Sequence, residues 1–140
     1  MQFRIKTNAK KIEKALKKKG KDVGKSMKRA LSITAQEGIN IIEARTEDGV
    51  GYKGGAFKGY AAKYARLRRD KGRGKSVDLQ FAGRMIGSIT SKADRKKATI
   101  FFTRAEEAKK AAMNNKARPF FGFNRQEEKQ LAKTFFRYIK

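Results

Sequence analysis

The chain contains no cysteine, no histidine and no tryptophan, and only one proline. Without cysteine there are no disulfides and no thiolate chemistry. With histidine missing too, the usual nucleophile–base pairs and most zinc sites cannot be assembled. Acidic residues are scarce. Against 37 Lys and Arg stand 13 Asp and Glu, a net charge of +24 over 140 residues. Self-repulsion on that scale disfavours a compact monomer unless polyanions or acidic partners offset it. No apolar run of about 18 residues occurs, so no membrane span is predicted, and no signal peptide is evident; a cytosolic product is the simplest expectation. The single proline argues against a disordered low-complexity chain. Length and the 39% hydrophobic content suit one domain, residues 1–140, with a modest core.

The carboxylates that are present offer little chemistry. Glu106 and Glu107 are sequence neighbours, as are Glu127 and Glu128, and adjacent residues on a helix do not converge on one site. They read as solvated helix faces. No enzyme, cofactor or metal site is expected.

What the chain has in abundance is unevenly placed positive charge. Residues 1–21 carry nine Lys/Arg and one acid; residues 50–76 again carry nine and one. Between them, residues 22–49 carry four and five, close to neutral, and residues 77–140 carry fifteen and six. The near-neutral segment is expected to be the packed element.

Hydrophobic periodicity places the elements. Phe3 and Ile5 alternate with polar neighbours, a short half-buried strand. Asn8 can cap a helix carrying Ile12, Ala15 and Leu16, which Gly20 ends. Asp22 can cap a longer helix, where Val23, Met27, Ala30, Leu31, Thr34, Ala35, Gly38, Ile41, Ile42 and Arg45 recur at spacings of three and four. That stripe predicts an amphipathic helix of roughly six or seven turns lying across a sheet. The glycines of residues 48–59 predict a loop. Tyr60–Arg69 reads as a short helix with Tyr60, Tyr64 and Leu67 on one stripe. Leu79, Ala82, Gly83 and Ile86 have helical spacing. Strands over residues 88–92 and 98–103 form a hairpin around ADRKK, and a helix follows over AEEAKKAAMNN. ARPFFGF is extended around Pro119. Asn124 with Glu127 resembles a capping pair for a terminal helix with Leu131, Phe135 and Tyr138 or Ile139 inward.

The stretch YAAKYARLRRDKGRGKS, residues 60–76, holds seven cations and one acid. Its GKS ending suggests a phosphate loop, but that loop needs a glycine five residues before Gly74, where Arg69 stands, and a preceding strand. The phosphate-loop reading is therefore rejected. Arg66, Arg68, Arg69, Lys71, Arg73 and Lys75 form either a solvated basic face or a phosphate contact without sequence readout. Tyr60 and Tyr64 are expected to pack inward rather than stack on bases.

Aromatic pairs recur at Phe101–Phe102, Phe120–Phe121 and Phe135–Phe136. Neighbours on a strand face opposite sides, so Phe101 and Phe102 place rings on both faces of one strand. ARPFFGF is either a hydrophobic plug under a loop or an anchor between subunits. In the second case one ring of Phe120 and Phe121 enters the core and the other reaches a neighbour.

Three stretches stand in a characteristic order: GGAFKGYAAKYARLR with Phe57, Tyr60 and Tyr64; VDLQFAGRMIGSI with Leu79, Gly83, Met85, Ser88 and Ile89; and ARPFFGF with Arg118, Pro119, Phe120 and Phe121. Their order and spacing over residues 54–123 resemble the virion-morphogenesis proteins of tailed bacteriophages, the neck or tail-completion proteins at the head–tail junction. The resemblance implies an α+β fold in which a long helix packs on a small antiparallel sheet, with a C-terminal helix. It implies a homo-oligomeric ring without catalysis around the DNA channel, located in the virion and made in the host bacterial cytoplasm. Its partners would be copies of itself, neighbouring head-closure or connector and tail proteins, and phage DNA in the lumen, with no membrane. The basic loop would then face DNA or an acidic neighbouring ring. The competing expectation is a nucleic-acid-binding module without sequence preference.

Overall fold

In the computed structural model, residues 1–6, 8–18, 22–74, 77–79 and 83–139 are described. Along the chain run β1 (Gln2–Lys6), α1 (Ala9–Lys18), α2 (Val23–Glu47), α3 (Ala62–Asp70), α4 (Arg84–Gly87), β2 (Ile89–Ala93), β3 (Lys97–Phe102), α5 (Ala105–Ala117) and α6 (Arg125–Tyr138). The class is α+β, a long helix packed on a three-stranded antiparallel sheet, with a C-terminal helix. Sheet order is β1-β3-β2, so β3 is central. This matches its burial: Ala98, Thr99 and Ile100 are all buried in succession.

Contacts gather into two units. One comprises Gln2–Asn40, Thr90–Phe101 and Arg125–Lys140; the other comprises Ile41–Ile89 and Phe102–Asn124, with Met1. In the first unit the predicted stripe of α2 is realised. Met27, Ala30, Leu31 and Ala35 are buried, as are Leu16 of α1, Ala98 and Ile100 of β3, and Leu131 and Phe135 of α6. Thr34 joins them because its hydroxyl donates to the Ala30 carbonyl at 2.7 Å, which satisfies the buried oxygen. Asp22 caps α2 as expected: the Lys25 amide donates to its Oδ1 at 3.1 Å. Gln130 of α6 donates to Glu37 of α2 at 2.8 Å. Antiparallel pairing sets Phe3 opposite Ile100, Ile5 opposite Ala98, and Lys6 opposite Lys97. Phe3, Ile5, Ala98 and Ile100 therefore share the core face of the sheet, while Arg4, Lys6, Lys97 and Phe101 share the other.

Two expectations are corrected. The helical spacing of Leu79, Gly83 and Ile86 yields only the four residues of α4, because Leu79 at φ 57 and Gly83 at φ 73 are left-handed and break the chain direction. The 118–123 segment contains bends rather than an extended run. Tyr138 is exposed at the end of α6, and Ile139 is the half-buried residue there. Lys19, Gly20, Lys75, Ser76 and Ala82 lie outside the described residues, and with them the predicted end of the first helix and the end of the GKS stretch.

The hairpin turn between β2 and β3 has a titratable centre. The amides of Lys96 and Lys97 donate to Asp94 Oδ1 at 2.7 and 2.9 Å, and these two bonds hold the Asp94 carboxyl below its ordinary pKa. A carboxylate whose pKa is depressed on folding adds stability above its unfolded value, about 3.9, and that stability is lost as pH falls through the folded value. Asp94→Ala is therefore expected to lower the melting temperature at neutral pH, with the gap to wild type narrowing below about pH 4. Melting followed by circular dichroism across pH checks this. A gap that stays constant into acid would show that the carboxylate does not hold the turn through its charge.

Candidate functional site

The second unit is organised by arginines that serve the backbone. Arg45, on the last turn of α2, donates to the carbonyls of Phe120 and Gly122 at 2.6 and 3.0 Å. Asn115 of α5 accepts from the amides of Phe120 and Phe121 at 3.0 and 2.9 Å. The Tyr52 amide donates to the Pro119 carbonyl at 3.0 Å. Most polar backbone groups of RPFFG are therefore held, which helps an irregular segment to be buried. The rings follow. Phe120, Phe121 and Phe123 are all buried, and Phe121 lies 5.1 Å from Phe102, centroid to centroid. The division of Phe120 and Phe121 between core and neighbour is corrected: with the segment bent rather than extended, both rings turn into the same core.

Two glycines owe their place to close approach. A Cβ on Gly51 would stand 2.8 Å from the Pro119 carbonyl oxygen, and one on Gly122 would stand 2.7 Å from the Tyr52 ring. Neither has positive φ. The 49–57 loop and the RPFFG segment are thus in backbone contact, and Phe57 of that loop is buried.

The motif stretches meet at Tyr60. Arg118 donates to the carbonyls of Lys58 and Gly59 at 2.7 and 2.9 Å, and its guanidinium lies 4.9 Å from the Tyr60 ring centre. On the same ring Arg68 sits at 4.8 Å. The Tyr60 hydroxyl accepts the Leu79 amide at 3.0 Å, which supports the strained φ of 57 at Leu79. Burial pushes the Tyr60 phenol above its ordinary pKa, against the opposing effect of the Leu79 amide, so the ring stays neutral beneath its two cations. Met85 is buried, with Asn114 of α5 against its sulfur at 3.9 Å.

Arg68 corrects the phosphate-contact expectation for that residue. It is 2% exposed and pairs with Asp78 at 3.1 Å. A charge so placed is structural. Arg66, Arg69, Lys71 and Arg73 are exposed, because α3 turns only its Arg68 face inward. Tyr60 and Tyr64 pack edge to face at 4.9 Å, yet Tyr64 and Leu67 remain 37% and 45% exposed, so the stripe is only partly inward.

These residues line a cleft of about 640 Å³ that includes Tyr60, Tyr64, Leu67, Met85, Arg84 and Glu107. Glu107 was read from sequence as a solvated helix charge. It is 3% exposed instead, with Lys110 at 3.2 Å on one oxygen and, among the described residues, no hydrogen-bond partner on the other. No periodicity signalled this, since its burial comes from the cleft wall and not from α5's own pattern. Among its described lining residues the ionisable side chains are Tyr60, Tyr64, Arg84, Glu107, Lys110 and Arg118. Among the described residues no cluster of acids could hold a metal ion, and no helix is long and apolar enough to cross a membrane.

Removing the Arg68 guanidinium leaves Asp78 without its partner and Tyr60 with Arg118 as its remaining cation. Arg68→Ser is expected to cost about 3 kcal/mol, while Arg66→Ser and Arg69→Ser stay within about 0.5 kcal/mol of wild type. Urea denaturation of the three variants decides it; equal stabilities would return Arg68 to the exposed set. Comparison of the chain with known protein families, with curated proteins and with solved structures finds no match.

Proposed function

We propose that this chain is a structural subunit of a tailed-phage virion, a neck or tail-completion protein that closes into a ring at the head–tail junction. The observation that carries the reading is the meeting of the three motif stretches at one place. Arg118 of the third binds the carbonyls of Lys58 and Gly59 in the first, and Tyr60 of the first holds the Leu79 amide of the second. Residues separated by up to 60 positions thus meet in one constellation, which supports reading the three stretches as a single motif.

Apolar side chains left on the surface fit the same reading. Leu67 is 45% exposed, Met113 72% and, in the other unit, Phe136 62%. A ring is built from heterologous contacts that close, and side chains of this kind supply their centres. Its partners are then copies of itself, the flanking connector and tail proteins, and DNA in the lumen.

Virions induced from cells carrying the gene are expected to contain this chain at a fixed ratio to the major capsid protein, measured by mass spectrometry. Leu67→Asp is expected to fold within about 0.5 kcal/mol of wild type but to be absent from particles. Infectious virions that lack the chain altogether would overturn the reading. A second reading, nucleic-acid binding outside any virion, is favoured by one observation: Arg66, Arg69, Lys71 and Arg73 stand exposed on and just after α3. Duplex binding by the purified chain together with absence from virions would establish it instead.

A further inference from the structure

Exposed positive charge also gathers away from the basic stretch that draws attention in the sequence. On the sheet face away from the core, β1 contributes Arg4 and Lys6, and β3 contributes Lys97 and Phe101. Lys92 of β2 belongs to the same face, since its ammonium lies 5.5 Å over the Phe101 ring. Arg95 and Lys96 extend the set from the hairpin turn. All six cations are exposed. Thr99 alone is buried there, a short side chain between Lys97, Phe101 and the opposing Arg4.

One described carboxylate, Asp94, attracts Lys96 and Lys97 from beyond ion-pair distance. Asp94, the acid in the hairpin turn, points its Oδ1 at the amides of Lys96 and Lys97, and none of the six cations forms an ion pair among the described residues. Lys6 and Lys97 are direct cross-strand partners, a like-charge pairing that works against the sheet. The Arg95 side chain runs along α2 close enough that a Cβ on Gly24 would meet its Nε at 2.7 Å. This brings the first turn of α2, with exposed Lys25 and the capping Asp22, to the same end. Folding therefore gathers like charges against their own repulsion.

We propose that this open sheet face and its hairpin end bind the phosphodiester backbone of duplex DNA. A polyanion removes the Lys6–Lys97 repulsion and releases its own counterions on binding. The composition favours DNA over a protein partner, because the centres of protein interfaces are depleted in lysine and rich in aromatics. Here lysine dominates, and the one ring, Phe101, is half-buried under Lys92. That covering also disfavours single strands, which need free rings to stack bases. The site holds no base-reading element, so the contact is without sequence preference.

The inference stands apart from the virion reading, since it is tested on the purified chain with synthetic DNA. Duplex affinity is measured by fluorescence anisotropy across salt. Arg4→Ser, Lys6→Ser, Lys92→Ser and Lys97→Ser together are expected to reduce the slope of log K against log salt by about 3 to 4. The single variant Lys6→Glu creates an opposite-charge pair with Lys97. It is expected to melt at or above the wild-type temperature while its duplex affinity falls several-fold, so lost binding is not lost folding. A quadruple variant that melts normally and keeps the wild-type slope overturns the proposal. So does a slope that falls only with Arg66→Ser, Arg69→Ser and Lys71→Ser. Tighter binding of single strands that is lost with Phe101→Ala would overturn the duplex assignment, and equal competition by polyglutamate through the same residues would assign the face to an acidic protein.

Discussion

The hydrogen bonds from Arg45 to the carbonyls of Phe120 and Gly122 are the constraint on which the motif-bearing unit depends. Three phenylalanines can be buried in an irregular segment only if that segment's polar backbone finds partners inside the protein. Asn115 supplies the acceptor for two amides, Tyr52 the donor for one carbonyl, and Arg45 the donors for two more. A guanidinium suits the last task because its donors form a planar fork and its charge is never lost. A lysine at position 45 could reach one carbonyl but not hold both in a fixed relation. With the backbone held, Phe120 becomes fully buried and the loop at Gly51 can come within contact of Pro119.

The same chemistry sorts the chain's positive charge into two kinds. Arg45, Arg68 and Arg118 are directed to carbonyls, a carboxylate and tyrosine rings. They belong to the fold as much as any phenylalanine does. The remaining cations are mostly lysines with exposed ammonium groups, and on the sheet they are placed face to face without acids. Arginine's weaker hydration lowers the cost of its burial, whereas the compact, strongly hydrated ammonium favours the surface. A formal net charge of +24 thus overstates the exposed charge in one place and hides it in another.

Much of the fold was legible because periodicity reports burial directly. The α2 stripe, the β1 alternation and the β2–β3 hairpin were read from spacing alone, and the Asp22 cap from residue type. Where the reading failed, a long-range contact had overridden a local pattern. Leu79, Gly83 and Ile86 keep helical spacing, yet a hydrogen bond from the Leu79 amide to Tyr60, 19 residues away, accompanies a left-handed turn that no local rule predicts. Glu107 looked solvated because its neighbours are polar. Its burial depends on the cleft wall. Arg68 looked like its neighbours Arg66 and Arg69, and only helical phase relative to Tyr60 and Asp78 separates them.

The Arg68 case shows why charge density along a sequence is a poor guide to charge density in space. Residues 60–76 look dense because the count runs along the chain, where every cation adds. In three dimensions Arg68 is internal, and α3 with the turn after it spreads Lys63, Arg66, Arg69, Lys71 and Arg73 in different directions. The sheet works the other way. Arg4 and Lys6 are far in sequence from Lys92 and Lys97, and each pair alone is unremarked. Antiparallel pairing with a side-chain period of two brings them to one face, with β3 between β1 and β2 and neighbouring strands about 5 Å apart. A repeat of two within each strand, multiplied by pairing across strands, concentrates charge more effectively than a run of consecutive basic residues, which a helix disperses around its axis.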